Sequence, residues 1–182
     1  MLGTSGNFSV VVSRQPLRLC ITRSGVSKGD IGPNDVLVVD AEGRAVGRQP
    51  GRPSAEALLH VLLATKRGAG AVLHTHSISS TLLSERHAES RGIRIQGFEM
   101  LKGLEGVSTH EHAEWIPILD NDQDMSRLAA RAESVLDAHP AAHGFLLRGH
   151  GLYTWGANLD EARRHIEILE FLFEVTIRGA TL

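Results

Sequence analysis

The apolar residues of this chain come in short runs, each closed by Gly, Pro or a polar cluster, and the runs alternate with longer stretches at helical spacing. No run approaches the ~20 residues of a membrane-spanning helix. Strands this short bury little alone, so they must pair in a shared sheet and be covered by helices. Asn7 to Ser13 and Leu17 to Thr22 read as a hairpin, and Asp35 to Asp40 as a third strand. Glu42-Gly43 then turns toward a short strand around Ala45 and Val46. Ser54 opens a helix as its N-cap, with Ala57, Leu58, Val61, Leu62 and Thr65 at helical spacing and Gly68 at its end. Beyond it, Ala71 to His76 reads as strand, Ser77 to Ala88 as helix, Ile93 to Phe98 and Ile116 to Leu119 as strands, and about Met125 to His139 as helix. Gly144 to Arg148 and Leu152 to Trp155 follow as strands. The last stretch, Asn158 to Ile177, carries Leu159, Ala162, Ile166, Leu169 and Phe173 on one stripe that faces the core. The expected fold class is α/β, a three-layer αβα arrangement around a central, largely antiparallel sheet. The 182 residues fit one domain spanning 1–182.

Charge and cysteine content narrow the function. Lys plus Arg total 19 against 21 Asp plus Glu, so the basic excess that would attract a phosphate backbone is missing and nucleic acid is not an expected partner. The start, MLGTSGNFSV, has neither the basic flank nor the apolar core of a signal peptide, and the single cysteine, Cys20, cannot close an internal disulfide. Cytoplasm is the expected compartment, with no membrane partner. Ten histidines beside one tyrosine raise the question of a metal.

His74 and His76 stand two apart in AVLHTHS; on a strand they leave the same face about 6.6 to 6.8 Å apart at their Cα atoms, within reach of one ion. A catalytic zinc site takes three protein ligands and keeps a position open. The best third ligand is His150 in RGHGLYTWG, where flanking glycines permit a sharp turn and close approach. A second H-x-H, His110 and His112 in THEHAEW, lies in a polar stretch and reads as solvated loop, while His60, His87, His139, His143 and His165 read as structural.

Three turns rich in small residues offer backbone amides to an anion: Gly3 to Asn7, Thr22 to Gly25, and Arg52 to Ala55, the last at a helix start. Two carboxylates are candidates for acid/base work. Glu56 lies in a first helical turn, where the dipole alone would favour it, and Glu99 follows an apolar strand, as either a partly buried carboxyl or a solvated strand end.

Taken in order, GNFS (6–9), ITRSG (21–25), GRPSAE (51–56), LHTHS (73–77), EMLKG (99–103) and RGHGLYTWG (148–156) resemble the class II aldolase/adducin superfamily over nearly the whole chain. The resemblance implies the three-layer fold, a cyclic homotetramer with active sites at subunit junctions, and one Zn2+ per subunit on His74, His76 and His150. It also implies Glu99 as general acid/base, and Asn7, Ser24, Gly25 and Ser54 around a phosphate, with Lys102 assisting. The implied reaction is dehydration of a 5-methylthio 2-ketopentose 1-phosphate in methionine salvage. The alternative is aldol cleavage of a fuculose- or ribulose-phosphate type sugar, in which Glu56 would carry the proton. Tyr153, the sole tyrosine and set within a strand, disfavours the aldolase, because those enzymes protonate the leaving aldehyde with a tyrosine. Relatives also carry about one more helix ahead of GNFS, whereas six residues precede Asn7 here.

Overall fold

In the computed structural model, which describes residues 6–29 and 31–179, the short apolar runs pair into one eight-stranded sheet. Its strands are β1 (Asn7–Arg14), β2 (Leu17–Thr22), β3 (Val36–Val39), β4 (Ala71–Thr75), β5 (Gly92–Gln96), β6 (Ala113–Leu119), β7 (Gly144–Leu147) and β8 (Gly151–Gly156), in the order β3-β2-β1-β4-β8-β7-β6-β5. Every neighbouring pair is antiparallel except β6 and β7. Among the described residues, four α-helices cover it: α1 (Ala57–Lys66), α2 (Ile78–Arg86), α3 (Met125–Ala138) and α4 (Leu159–Gly179).

The strands' period of two decides which helices lie on which face. In β7 and β8, Leu146 and Leu152 pack with Leu83 of α2 and Leu169 and Leu172 of α4. Their alternates Phe145, Leu147, Tyr153 and Trp155 pack with Leu59 and Leu63 of α1 and Leu128, Ala132 and Leu136 of α3. Both faces are therefore dry, and the central strands are buried along their length, as the expected three layers require.

Three local expectations shift. Ser54 does not cap α1: the helix begins at Ala57 after Glu56, and the Ser54 hydroxyl accepts the Glu56 amide at 3.2 Å just ahead of it. The strand around Ala45 reduces to a single bridge to Val39. A short 3-10 helix, Glu99–Gly103, follows β5 where the sequence offered no helical period; its Leu101 is buried in the core beneath α2 and α4. Of the first anion turn, Gly3, Thr4 and Ser5 lie outside the described residues.

Candidate active site

Register places the site in one cross-strand row. Asn7 of β1 stands opposite His74 of β4, His74 opposite Tyr153 of β8, and Tyr153 opposite Phe145 of β7. The rings stack along it, His74 on Tyr153 at 4.0 Å and Tyr153 on Phe145 at 5.0 Å between centroids. His76 follows the last residue of β4 and His150 the turn before β8, so antiparallel pairing brings them to the same end of the sheet. A close backbone approach makes this possible: a Cβ on Gly151 would meet the Thr75 carbonyl oxygen at 2.1 Å and His76 Cδ2 at 3.0 Å. Gly149, at φ +63, makes the turn.

The three imidazoles converge. His76 Nε2 lies 2.8 Å and His150 Nε2 3.4 Å from His74 Nε2, and one nitrogen from each ring can be chosen so that all three lie within 4.8 Å of one another. His74 Nδ1 donates to the Leu152 carbonyl at 2.9 Å, which fixes its tautomer and leaves the Nε2 lone pair facing the other two rings. Burial first, then the neighbouring imidazoles, holds His74 well below the usual histidine range, and the same two causes bring His76 down to about 4. Both are neutral at neutral pH, as a metal ligand must be. Metal–nitrogen bonds of ~2.0 to 2.1 Å at a tetrahedral angle set nitrogens about 3.3 Å apart. The 3.4 Å separation meets that value, and His76 would withdraw by about half an ångström to admit an ion. The donor set and its geometry therefore fit a divalent metal. The second H-x-H does not converge: His112 Nε2 binds buried Glu114 at 2.8 Å, and His110 Nδ1 lies 3.7 Å from Glu99.

A cavity of about 370 Å3 adjoins the triad, and Asn7, Ser24, Gly25, Ser54, Glu56, His76 and His150 all line it. Glu56 borders the ligands directly, its carboxylate oxygens 3.6 Å from His74 Nε2 and 3.5 Å from His150 Nε2. The Asn7 amide donates to Glu56 Oε2 at 2.5 Å and to Ser54 Oγ at 3.0 Å. Ser54 Oγ thus accepts twice, from the Asn7 side chain and from the Glu56 backbone amide, and neither bond uses its own proton. Glu99 and Lys102 do not line this cavity. They pair with each other at 2.7 Å on the 3-10 helix, Glu99 exposed and held below the usual carboxylate range by the Lys102 hydrogen bond and charge.

Four polar lining residues carry no role in the sequence reading: Arg23, which lies within the Thr22 to Gly25 turn, Lys28, Asn121 and Gln123. Arg23 stands inside ITRSG and is held by Asp35 at 3.1 Å, while Asn121 and Gln123 belong to the polar DNDQD stretch, which signals only the start of α3. Tyr153 also stands at the site, stacked on His74. Its fully buried hydroxyl faces Glu56 without closing a well-aligned hydrogen bond, and burial, then the Glu56 charge, holds it well above the usual phenol range. Its place in a strand does not remove it from the site, which weakens that argument against an aldolase.

The fold and the triad together define the class. The chain belongs to the class II aldolase and adducin family, whose N-terminal domain model matches residues 1–177. Within that family it is 48% identical to a methylthioribulose-1-phosphate dehydratase of Pseudomonas syringae pv. tomato over 98% of this chain and 86% of that protein. It is 46% identical to one of Pseudomonas aeruginosa over the same shares. Among solved structures, an L-fuculose 1-phosphate aldolase superposes with a TM-score of 0.78 at 22% identity, over 98% of this chain and 77% of that one, a likeness of fold.

Proposed function

We propose that the chain is a methylthioribulose-1-phosphate dehydratase, converting 5-methylthioribulose 1-phosphate to 2,3-diketo-5-methylthiopentyl 1-phosphate and water in methionine salvage. The observation that carries this reading is the convergence of three imidazole nitrogens beside a cavity whose other walls carry hydroxyl, amide and basic groups. Identity of 48% to a dehydratase over nearly the whole chain selects it from the family's reactions. The working unit is one catalytic domain over 1–182, assembled as a homotetramer in the cytoplasm with one Zn2+ per subunit on His74, His76 and His150.

A divalent ion held by His74, His76 and His150 would supply Lewis-acid chemistry, polarising the carbon 2 ketone so that the carbon 3 proton is acidic. The chain's own groups do the rest. Asn7, Ser24, Gly25 and Ser54 surround the phosphate, with Lys102, which does not line its own chain's cavity, assisting from a second subunit, and so fix carbons 3 and 4 in register far from the anchoring charge. Glu99 takes the carbon 3 proton and delivers one to the departing carbon 4 hydroxyl, leaving an enol that becomes the second ketone. Because Glu99 is exposed and away from its own protomer's cavity, it acts across a subunit junction. Incubating purified protein with methylthioribulose 1-phosphate and following the diketone's absorbance tests the reading; absence of that product with metal-loaded protein refutes it. One observation favours aldol cleavage instead, the contact of Glu56 with His74 and His150. Release of a free aldehyde from a ketose phosphate would establish that reaction.

A further inference from the structure

A line of buried hydrogen bonds runs from Glu56 away from the cavity to His60, which neither the metal centre nor the phosphate pocket employs. We infer that His60 is a positioning residue that acts through Asn7 to aim the Glu56 carboxylate at His74 and His150. The inference rests on the triad being a catalytic metal centre.

Each link has one workable polarity. Glu56, as a carboxylate, only accepts, so Asn7 must present its NH2 to it, as the 2.5 Å contact has it. The other end of that amide, Oδ1, then faces His60 Nε2 in a short hydrogen bond that the ring must donate. Burial brings His60 down to about 3, so the ring is neutral and has a single N–H. Its Nδ1 is therefore an acceptor, and the Ser9 hydroxyl 2.7 Å away donates to it. The protons run Ser9 to His60 to Asn7 to Glu56, from β1 to α1 and back.

The device is needed because an amide's two ends are nearly alike in shape. Packing alone does not distinguish Asn7 from its flipped form, which would set a carbonyl oxygen against the carboxylate. Asn7 is 4%, Ser9 3% and His60 0% exposed, so a lost partner on the His60 side is not readily replaced by bulk water, and the His60 N–H joins the Glu56 carboxylate in holding the amide one way. The bland alternative is a core histidine whose hydrogen bonds only satisfy its ring.

Two measurements on the purified protein separate these. The visible ligand-field spectrum of the Co2+-substituted protein reports the surroundings of the triad without substrate, and kcat reports the reaction. Glu56→Gln should change both. His60→Leu should reproduce both changes, with kcat falling about 10- to 100-fold, the scale of outer-shell losses. His60→Gln, whose amide donates where Nε2–H did, should restore most of each. Added to Glu56→Gln, His60→Leu should lower kcat by no more than about twofold further, since coupled residues are not additive. His60→Leu with a lower Tm but unchanged spectrum and kcat would make it a core residue and overturn the inference. So would fully additive losses, or a Glu56→Gln variant that alters neither readout. If His60→Leu does not fold, Ser9→Ala removes one hydroxyl and loosens the tautomer; a spectrum and kcat identical to the parent would again refute. Failure of the parent protein to turn over methylthioribulose 1-phosphate would sink the dehydratase reading alone, because the Co2+ spectra still decide this one.

Discussion

Replacing Gly151 by Ala should cost the three-histidine group its affinity for metal before it costs the fold. The new Cβ would stand 2.1 Å from the Thr75 carbonyl oxygen, where a carbon and a carbonyl oxygen ordinarily keep about 3.3 Å. The ends of β4 and β8 must therefore part by about 1.2 Å, there where Thr75 pairs with Leu152. His74 and His76 lie on one side of that gap and His150 on the other, so the displacement passes into the ligand separation. Metal sites tolerate about ±0.2 Å in their bonds, several times less. Affinity should fall by at least the ~10- to 100-fold seen on losing an outer-shell partner. Overpacking of this kind costs about 1–3 kcal/mol, a Tm lower by roughly 2–12 °C for a chain of this size.

The assay titrates metal-free protein with Zn2+ against a competing chelator, beside a thermal melt. Gly29→Ala is the control, since its Cβ would meet only Ser27 Oγ, at 3.9 Å. A Gly151→Ala protein that melts lower but binds Zn2+ with the parent's affinity would refute the reasoning, because β8 would then move without carrying His150.

Three further outcomes follow from the geometry. Glu99→Gln should lower turnover by about 10²- to 10⁴-fold with metal content unchanged, and Glu56→Gln by less; steady-state rates in the reverse order would indicate aldolase-type use of the scaffold. Ser54→Asp should raise KM strongly by setting a carboxylate against the substrate phosphate, and an unchanged KM would count against the cradle. The Glu114–His143 pair should make stability pH-dependent. Burial opposes both charges, but their mutual hydrogen bonds at 3.0 to 3.1 Å and attraction hold Glu114 below 4.5 and His143 above 6.5. Glu114's share is present above its unfolded pKa and lost as pH falls through the depressed value; His143's is present below 6.5 and lost as pH rises through the raised one. The pair thus contributes its full share between about 4.5 and 6.5 and loses it on either side, so urea melts of Glu114→Gln should show lower stability inside that window and a shallower fall below and above it; an unchanged pH profile would refute this.

The elements were legible where period and punctuation agreed. The hairpin of β1 and β2, the strand–helix pair β4 and α2, and α4 with its single apolar stripe stand within a residue or two of their expected bounds. The 3-10 helix Glu99–Gly103 was not, since five residues carry no period and its buried Leu101 is held by α2 and α4, elements distant in sequence. In the site, the two-residue spacing of His74 and His76 raises a ligand pair without deciding it, and the glycines around His150 suggest the third member; the fold brings the three rings together. Arg23, Asn121, Gln123 and His60 could not be read from the sequence, because nothing local distinguishes a polar residue lining a cavity from one facing water or one satisfied inside the core.

The two carboxylates show where adjacency along the chain misleads. Alternation along β4 sends Thr75 to the α4 face, where it donates to Glu170 at 2.7 Å, and His74 to the α1 face with Asn7 and Tyr153. Glu56, at the start of α1, is carried to the ligands by the helix that covers that face. Glu99 sits on a segment anchored by Leu101 to the core of the other face, and its partners there are Lys102 and His110. A single chain therefore has the three histidines and Glu56 together and Glu99 elsewhere. If Glu99→Gln proves the more damaging change, the carboxylate must come from a second copy, so an equimolar mixture of His76→Ala and Glu99→Gln subunits, each nearly inactive alone, should regain activity on reassembly. No regain, with mixed oligomers verified by mass, would place acid/base work within one chain and return Glu56 to that role.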